Sequence, residues 1–219
     1  MILTGAPHEI LAQVNALNSK AEGIIKAARA MVSRGRQDVE DFQAAALAML
    51  AAPYDVGGAH VLEIGTYYGY TAAVLGLAAP MAHVTTLNTL EWEVIAAKKN
   101  LRQLPNVTPL CVASWDYLKE YNGPALDMIF VDGDHKRIAL DLPWFDWLRP
   151  GGLMVFHDYT PLGAPRHCPP VFEALNAAVE RIDRGFDVLI VDNQQIGMAG
   201  WYKRSVKEHL LHYPREIEE

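Results

Sequence analysis

The spacing of hydrophobic and polar residues changes character near residue 58. Before it, Ile10, Leu11, Val14, Leu17, Ala21, Ile24, Ile25 and Ala28 recur at helical intervals. Gly35 interrupts them, and Phe42, Ala45, Ala46, Leu47 and Leu50 resume the pattern. Residues 9–52 therefore read as two helices, closed by a breaker cluster at 53–58. After it, short apolar runs at 60–64, 82–87, 106–112, 126–131 and 153–156 read as strands. They alternate with helical segments at 69–77, 91–101, 114–121, 136–148 and 170–182. Two further strands, 186–191 and 196–202, are joined by four residues, which predicts an antiparallel pair. The alternation predicts an α/β doubly wound fold, a seven-stranded, mostly parallel sheet covered on both faces by helices.

This organisation divides the chain into an N-terminal helical addition (1–57), a sheet domain (58–203) and a charged tail (204–219). The addition is expected to pack over the ligand face of the sheet or to form a homodimer contact. Composition narrows the partners. The chain has 219 residues, 51% of them hydrophobic and 21% charged, enough for a sizeable core. With 26 acidic against 19 basic residues and no Lys/Arg cluster, a nucleic-acid partner is not expected. No apolar run is long enough to span a bilayer, and the first residues lack the features of a secretory signal. Cys111 and Cys168, the only cysteines, form no CxxC pair. A cytoplasmic protein without membrane contact is the expectation.

In sheets of this type ligands lie beyond the carboxyl ends of the strands, so the polar residues just after each strand are the candidates. The segment 61–75, VLEIGTYYGYTAAVL, runs from an apolar strand through a turn holding Gly65 and Gly69 into a helix. Such a turn brings a ligand close to bare backbone at an amide-rich helix N-terminus. Glu63, acidic within an apolar strand end, needs a partner, either a cationic ligand amine or nearby amides. The strand 126–131 ends in Asp132, Asp134 and His135, and the strand 153–156 ends in His157 and Asp158. If these strands are neighbours, their carboxylates converge and repel unless a cation or a proton lies between them. A hard divalent cation such as magnesium or a purely polar network would each satisfy them, although an imidazole suits softer metals better. Trp144, Phe145 and Trp147 read as packing residues, and the Pro-rich segment 159–170 reads as a lid over the strand tips.

VLEIGTYYGYTA, LDMIFVDGDH and LRPGGLMVFHDY, in this order and spacing, resemble the class I S-adenosylmethionine-dependent methyltransferases, in particular small-molecule O-methyltransferases of the catechol and macrocin type. The resemblance covers roughly residues 58–203. It implies S-adenosylmethionine as cofactor, with Glu63 and Gly65 near its methionine part, Tyr67 and Gly69 completing the turn, and Thr71 at the head of the next helix. It implies Ser114 and Trp115 at the adenine, and Asp132 among the cofactor contacts. Metal-using relatives imply magnesium or another divalent cation on Asp132, His157 and Asp158. The base falls on Asp134, while His135 stands where the catechol type has a lysine. Two positions depart from the pattern. Asn88 replaces the acid that takes both ribose hydroxyls, and His157 replaces an acid among the metal ligands. The implied activity is O-methylation of a small hydroxylated molecule. A nucleoside- or metabolite-binding protein without turnover is the alternative, and an NAD-dependent oxidoreductase is disfavoured because the glycines lack GxGxxG spacing.

Overall fold

The computed structural model describes residues 1–33, 35, 39–160, 168–193 and 197–210. A short strand, β1 (Ile2–Gly5), precedes three helices, α1 (Pro7–Leu17), α2 (Ala21–Met31) and α3 (Asp41–Ala51). Strands and helices then alternate through β2 (His60–Ile64), α4 (Tyr70–Ala78), β3 (His83–Asn88), α5 (Glu91–Asn100), β4 (Val107–Cys111), α6 (Ser114–Glu120) and β5 (Leu126–Val131). Two 3-10 helices, His135–Leu140 and Leu142–Trp147, lead into β6 (Leu148–Phe156). The chain continues through α7 (Pro169–Ile182), β7 (Val188–Asp192) and β8 (Gly197–Tyr202).

The strands of the described residues form one sheet in the order β1-β7-β8-β6-β5-β2-β3-β4, with β8 antiparallel to both its neighbours. Side chains alternate across it as the period of a strand requires. Val61, Met128 and Phe130 enter the core under the N-terminal helices and α4. Leu62, Ile64, Ile129 and Val131 enter the opposite core with Trp144, Phe145 and Trp201. Trp144 and Phe145 are fully buried there, as expected of packing residues. β2 pairs with β3 on one side and β5 on the other, so strand order reverses beside it. That reversal opens a crevice at the carboxyl ends of the central strands.

Among the described residues the sheet has eight strands where seven were expected. β1 adds to the edge parallel to β7, with Ile2 opposite Leu189 and Gly5 opposite Asp192. Four residues are too few for an alternating pattern to be legible, and of its apolar side chains only Leu3 is buried while Ile2 is exposed. Among its described residues the N-terminal segment holds three helices rather than two. Asn18 ends α1, and its side chain accepts the backbone N–H of Lys20, which starts a new turn. The expected helix at 136–148 is two 3-10 helices. Pro143 has no N–H to give and disfavours helical geometry at Leu142, so a continuous α-helix cannot pass through. Among the described residues no helix is long and apolar enough to cross a membrane.

α3 matters to the site. Nine of its residues are buried, as in a helix enclosed on all sides. It packs against α4, whose N-terminus follows the glycine turn, so the start of α3 lies beside that turn.

Candidate functional site

Gly65 and Gly69 shape the turn after β2 for different reasons. Gly65 has φ 109°, and its N–H and that of Thr66 both donate to the carbonyl of Leu87 at 2.9 and 3.1 Å. A Cβ on Gly65 would stand 2.1 Å from the carbonyl oxygen of Asp132, so only glycine lets the tips of β2 and β5 approach. Gly69, at φ 93°, caps α4, and a Cβ there would meet Leu101 at 2.8 Å. Tyr67 is held at φ 46°, an uncommon conformation for a residue other than glycine.

Over this turn opens a cleft of about 1140 Å³ along the carboxyl ends of β2 to β6. Gly65, Tyr67, Thr71, Asn88, Ser114, Trp115, Asp132, Asp134, His135, His157 and Asp158 all line it. Of the expected residues only Glu63 and Gly69 do not. Tyr70 also lines the cleft, whereas Tyr68 packs on Tyr67 with ring centroids 4.1 Å apart. Val39, Glu40 and Gln43, at and before the start of α3, complete the wall. Of the segment expected to form a lid, 159–170, residues 161–167 lie outside the described residues, while Cys168, Pro169 and Pro170 line the cleft.

Glu63 is completely buried. The Thr86 hydroxyl donates to its carboxylate, and Thr66 and Thr86 share a 2.6 Å hydrogen bond behind it. Burial pushes its pKa up to about 8 against the opposing pull of the Thr71 and Thr86 hydroxyls, so it holds a proton at neutral pH. A raised carboxyl pKa contributes stability that is complete below the unfolded value of 4.5 and lost as pH rises to about 8. Glu63→Gln removes that dependence. Denaturation curves at stepped pH are expected to shift in favour of the variant by about 2–4 kcal/mol between pH ~5 and ~8. A difference that does not change with pH would mean that Glu63 is ionised and partnered throughout.

On the β3 side, the Asn88 amide donates to Glu93 Oε2 at 2.6 Å. Glu93 lies in the first turn of α5, is 8% exposed, and lines the cleft. The sequence pattern, which points to the strand tip itself, does not single it out. Its position five residues past Asn88, in an acidic first helical turn that folds back over the strand end, was the available signal. The Ser114 hydroxyl is spent on the buried carboxyl of Asp141, whose pKa burial raises to about 7. Trp115 keeps its ring at the cleft, with the Arg137 guanidinium 5.0 Å from its centroid.

On the β5–β6 side, four side chains converge. His157 Nδ1 stands 3.2 Å from Asp132 Oδ1 and 3.3 Å from Asp158 Oδ1. His135 Nε2 stands 3.0 Å from Asp158 Oδ2 and 3.5 Å from Asp132 Oδ1. Pairing of β5 with β6, with Val131 opposite Phe156, brings the two strand tips together. Asp158 occupies φ 58°, a region that aspartate tolerates better than most residues. The two carboxylates hold the His135 imidazole at about 9. Burial alone would lower His157, but the same carboxylates outweigh it and raise the ring to about 10. Burial likewise disfavours ionisation of Asp132 and Asp158, and the imidazoles overcome it, holding Asp158 far below the usual carboxylate range. Asp134 faces outward by comparison. Its carboxylate accepts the Lys136 N–H at 3.1 Å and lies 3.6 Å from Arg137, with half of its side chain exposed.

Residues 62–159 match the family model described as a methyltransferase domain. That stretch, under half of the chain, runs from the glycine turn to the tip of β6 and so holds much of the cleft wall. Among curated proteins no sequence matches it. The chain is similar in fold to the O-methyltransferase from Bacillus cereus in complex with S-adenosylhomocysteine, at 19% identity over 89% of this chain and 97% of that one, with a TM-score of 0.63. It is similar to the O-methyltransferase TomG from Streptomyces achromogenes, solved with S-adenosylmethionine, at 19% identity over 89% and 96%, TM-score 0.65. It is also similar to a putative caffeoyl-CoA O-methyltransferase from Staphylococcus aureus, at 18% identity over 90% and 98%, TM-score 0.65.

Proposed function

We propose that this protein is a methyltransferase that transfers the methyl group of S-adenosylmethionine to a hydroxyl of a small molecule. The observation that carries the reading is the shared cleft, in which the Gly65 turn and the cluster Asp132, His135, His157 and Asp158 face the same space. The O-methyltransferases of similar fold support it. The acceptor is a small molecule rather than a nucleic acid, because the chain carries 26 acidic and 19 basic residues and binding a phosphate backbone relies on Lys and Arg.

The donor's methionine part lies along the bare backbone of Gly65 and the start of α4. Its ribose meets Asn88 and Glu93, and its adenine meets the face of Trp115. Glu93 supplies the carboxylate that Asn88 lacks, which removes the main argument for binding without turnover. The methyl group sits on a sulfonium cation and leaves by in-line displacement. The chain therefore has to align the acceptor oxygen and accept its proton, and alignment contributes several kcal/mol. Asp134, at the open side of the cleft, takes the proton. His135 is already protonated at neutral pH in the absence of an ion and cannot serve as base. The donor atoms of the buried His157, of Asp132 and of Asp158 lie within 4.8 Å of one another, a set that fits a divalent cation. Such an ion, when bound there, would lower the pKa of the acceptor hydroxyl.

Calorimetry with S-adenosylmethionine, S-adenosylhomocysteine and NAD, followed by a screen of phenols and sugar hydroxyls with labelled donor, tests the reading. Binding of NAD in place of the methyl donor, or transfer to nucleic acid alone, would overturn it. In the same calorimeter Glu93→Gln is expected to weaken donor binding by about ten- to a hundredfold, the worth of a hydrogen bond to a charged group. Unchanged affinity would remove Glu93 from the ribose site.

A further inference from the structure

We infer that a second copy of this chain docks on the outward face of α5, the two copies being related by a two-fold axis beside Ile95. The inference goes beyond the proposed function and does not depend on methyl transfer.

α5 has two unlike faces. Glu93, Val94 and Ala97 are buried against the body of the protein, and Leu101 continues their row, as the helical period requires. On the other side Leu90, Trp92 and Ile95 are 48%, 56% and 62% exposed. A lone exposed apolar side chain is ordinary, whereas three large ones within six residues form a patch of the kind that marks a contact surface. Trp92 is also held in place. Its ring meets Tyr68 edge-on with centroids 5.9 Å apart, and Tyr68 in turn packs on Tyr67. A tryptophan fixed in this way has less freedom to lose on binding and suits the centre of an interface.

The charges on the same face decide what covers it. Glu91 stands in the first turn of α5 and Lys98 and Lys99 in the last. All three are exposed, and among the described residues none of them forms an ion pair. Glu91 and Lys99 each lie four residues from Ile95, and Trp92 and Lys98 each lie three. A two-fold axis beside Ile95 therefore sets Ile95 against its own copy, Trp92 against Lys98 of the second copy, and Glu91 against Lys99 of the second copy. At a rise of ~1.5 Å per residue these pairs fall about 4.5 and 6 Å along the helix from the axis, within one helix face. Symmetry makes each pair twice, one a cation over an aromatic ring and the other an ion pair. Docking with the helices parallel would instead oppose Glu91 to Glu91 and lysine to lysine. An anionic surface, such as that of a phospholipid, would attract the lysines but repel Glu91.

Sedimentation velocity of the full-length protein over a concentration series, with light scattering for the mass, tests the inference. Dimerisation with a dissociation constant of about 1–100 µM is expected, as befits a contact at the small end of stable interfaces. Ile95→Glu sets two carboxylates against each other at the axis and is expected to weaken the dimer about 100-fold. Glu91→Lys and Lys99→Glu each turn both ion pairs into like charges and are expected to weaken it about tenfold. When these two variants are mixed, both pairs are again of opposite charge. The mixed dimer is therefore expected to form with the affinity of the unaltered protein. The substituted side chains are all exposed, and circular dichroism establishes that each variant is folded. A chain that stays monomeric to about 500 µM overturns the inference. So does a dimer that Ile95→Glu leaves intact, as one formed through the N-terminal helices would be, or a mixture that associates no better than its components. Binding of a monomer to vesicles of anionic phospholipid, abolished by Ile95→Glu, overturns it in favour of a lipid surface.

Discussion

Asp158→Asn is expected to lower methyl transfer by about 10²- to 10⁴-fold while leaving the protein folded. The substitution keeps the shape of the side chain, and asparagine, like aspartate, tolerates the left-handed backbone that residue 158 adopts at φ 58°. What it removes is the charge that both His135 and His157 face, at 3.0 and 3.3 Å. Without it the cluster loses one of its two carboxylates, and the acceptor loses whatever that charge orients. Labelled-donor turnover gives the loss in rate, and calorimetry with S-adenosylhomocysteine separates it from donor binding, which is expected to change little. A folded Asp158→Asn protein with full turnover would show that the chemistry does not pass through this cluster.

Gly65→Ala is expected to abolish donor binding and to destabilise the fold by about 3 kcal/mol or more. Two costs coincide at this residue. Its φ of 109° is one that a side chain rarely adopts, and the new Cβ would meet the Asp132 carbonyl at 2.1 Å and Gly133 N at 3.0 Å. Both contacts are backbone, so no side-chain rotation relieves them. The tips of β2 and β5 must separate, and that moves Asp132 and the turn together. Gly69→Ala should be milder, because its nearest contact is the flexible side chain of Leu101. Thermal unfolding of the two variants side by side, with calorimetry for the donor, measures the contrast. Equal effects would mean that conformational strain alone, and not the approach of the two strands, accounts for Gly65.

The parallel strands at the centre were legible because they are buried on both faces and read as nearly continuous apolar runs, as 126–131 and 153–156 do. The polar residues at their ends were legible for the converse reason: an abrupt run of Asp and His after a fully buried strand has few structural explanations. Elements stabilised by long-range contacts were harder to read. β1 exists because β7 offers it an edge, 187 residues away at Ile2 and Leu189, and nothing in four residues announces that partner. Ser114 was expected at the adenine from its place in the resemblance, yet its hydroxyl is committed to Asp141, a contact that crosses 27 positions.

By itself the sequence determined the α/β alternation, the glycine turn after the first buried strand, and the set of strand-tip residues that line the cleft. Each follows from local properties: side-chain period, the missing Cβ of glycine, and the cost of burying a charge. Only the tertiary structure decided the division of labour among them. It placed Glu63 behind the turn as a protonated, buried acid rather than in the cleft, and brought Glu93 back from α5 to stand beside Asn88. It directed the two imidazoles onto the same pair of carboxylates. The physical reason is common to all three. Burial, donor geometry and mutual charge are set by distances between segments far apart in the chain, and those distances exist only once the strands have paired.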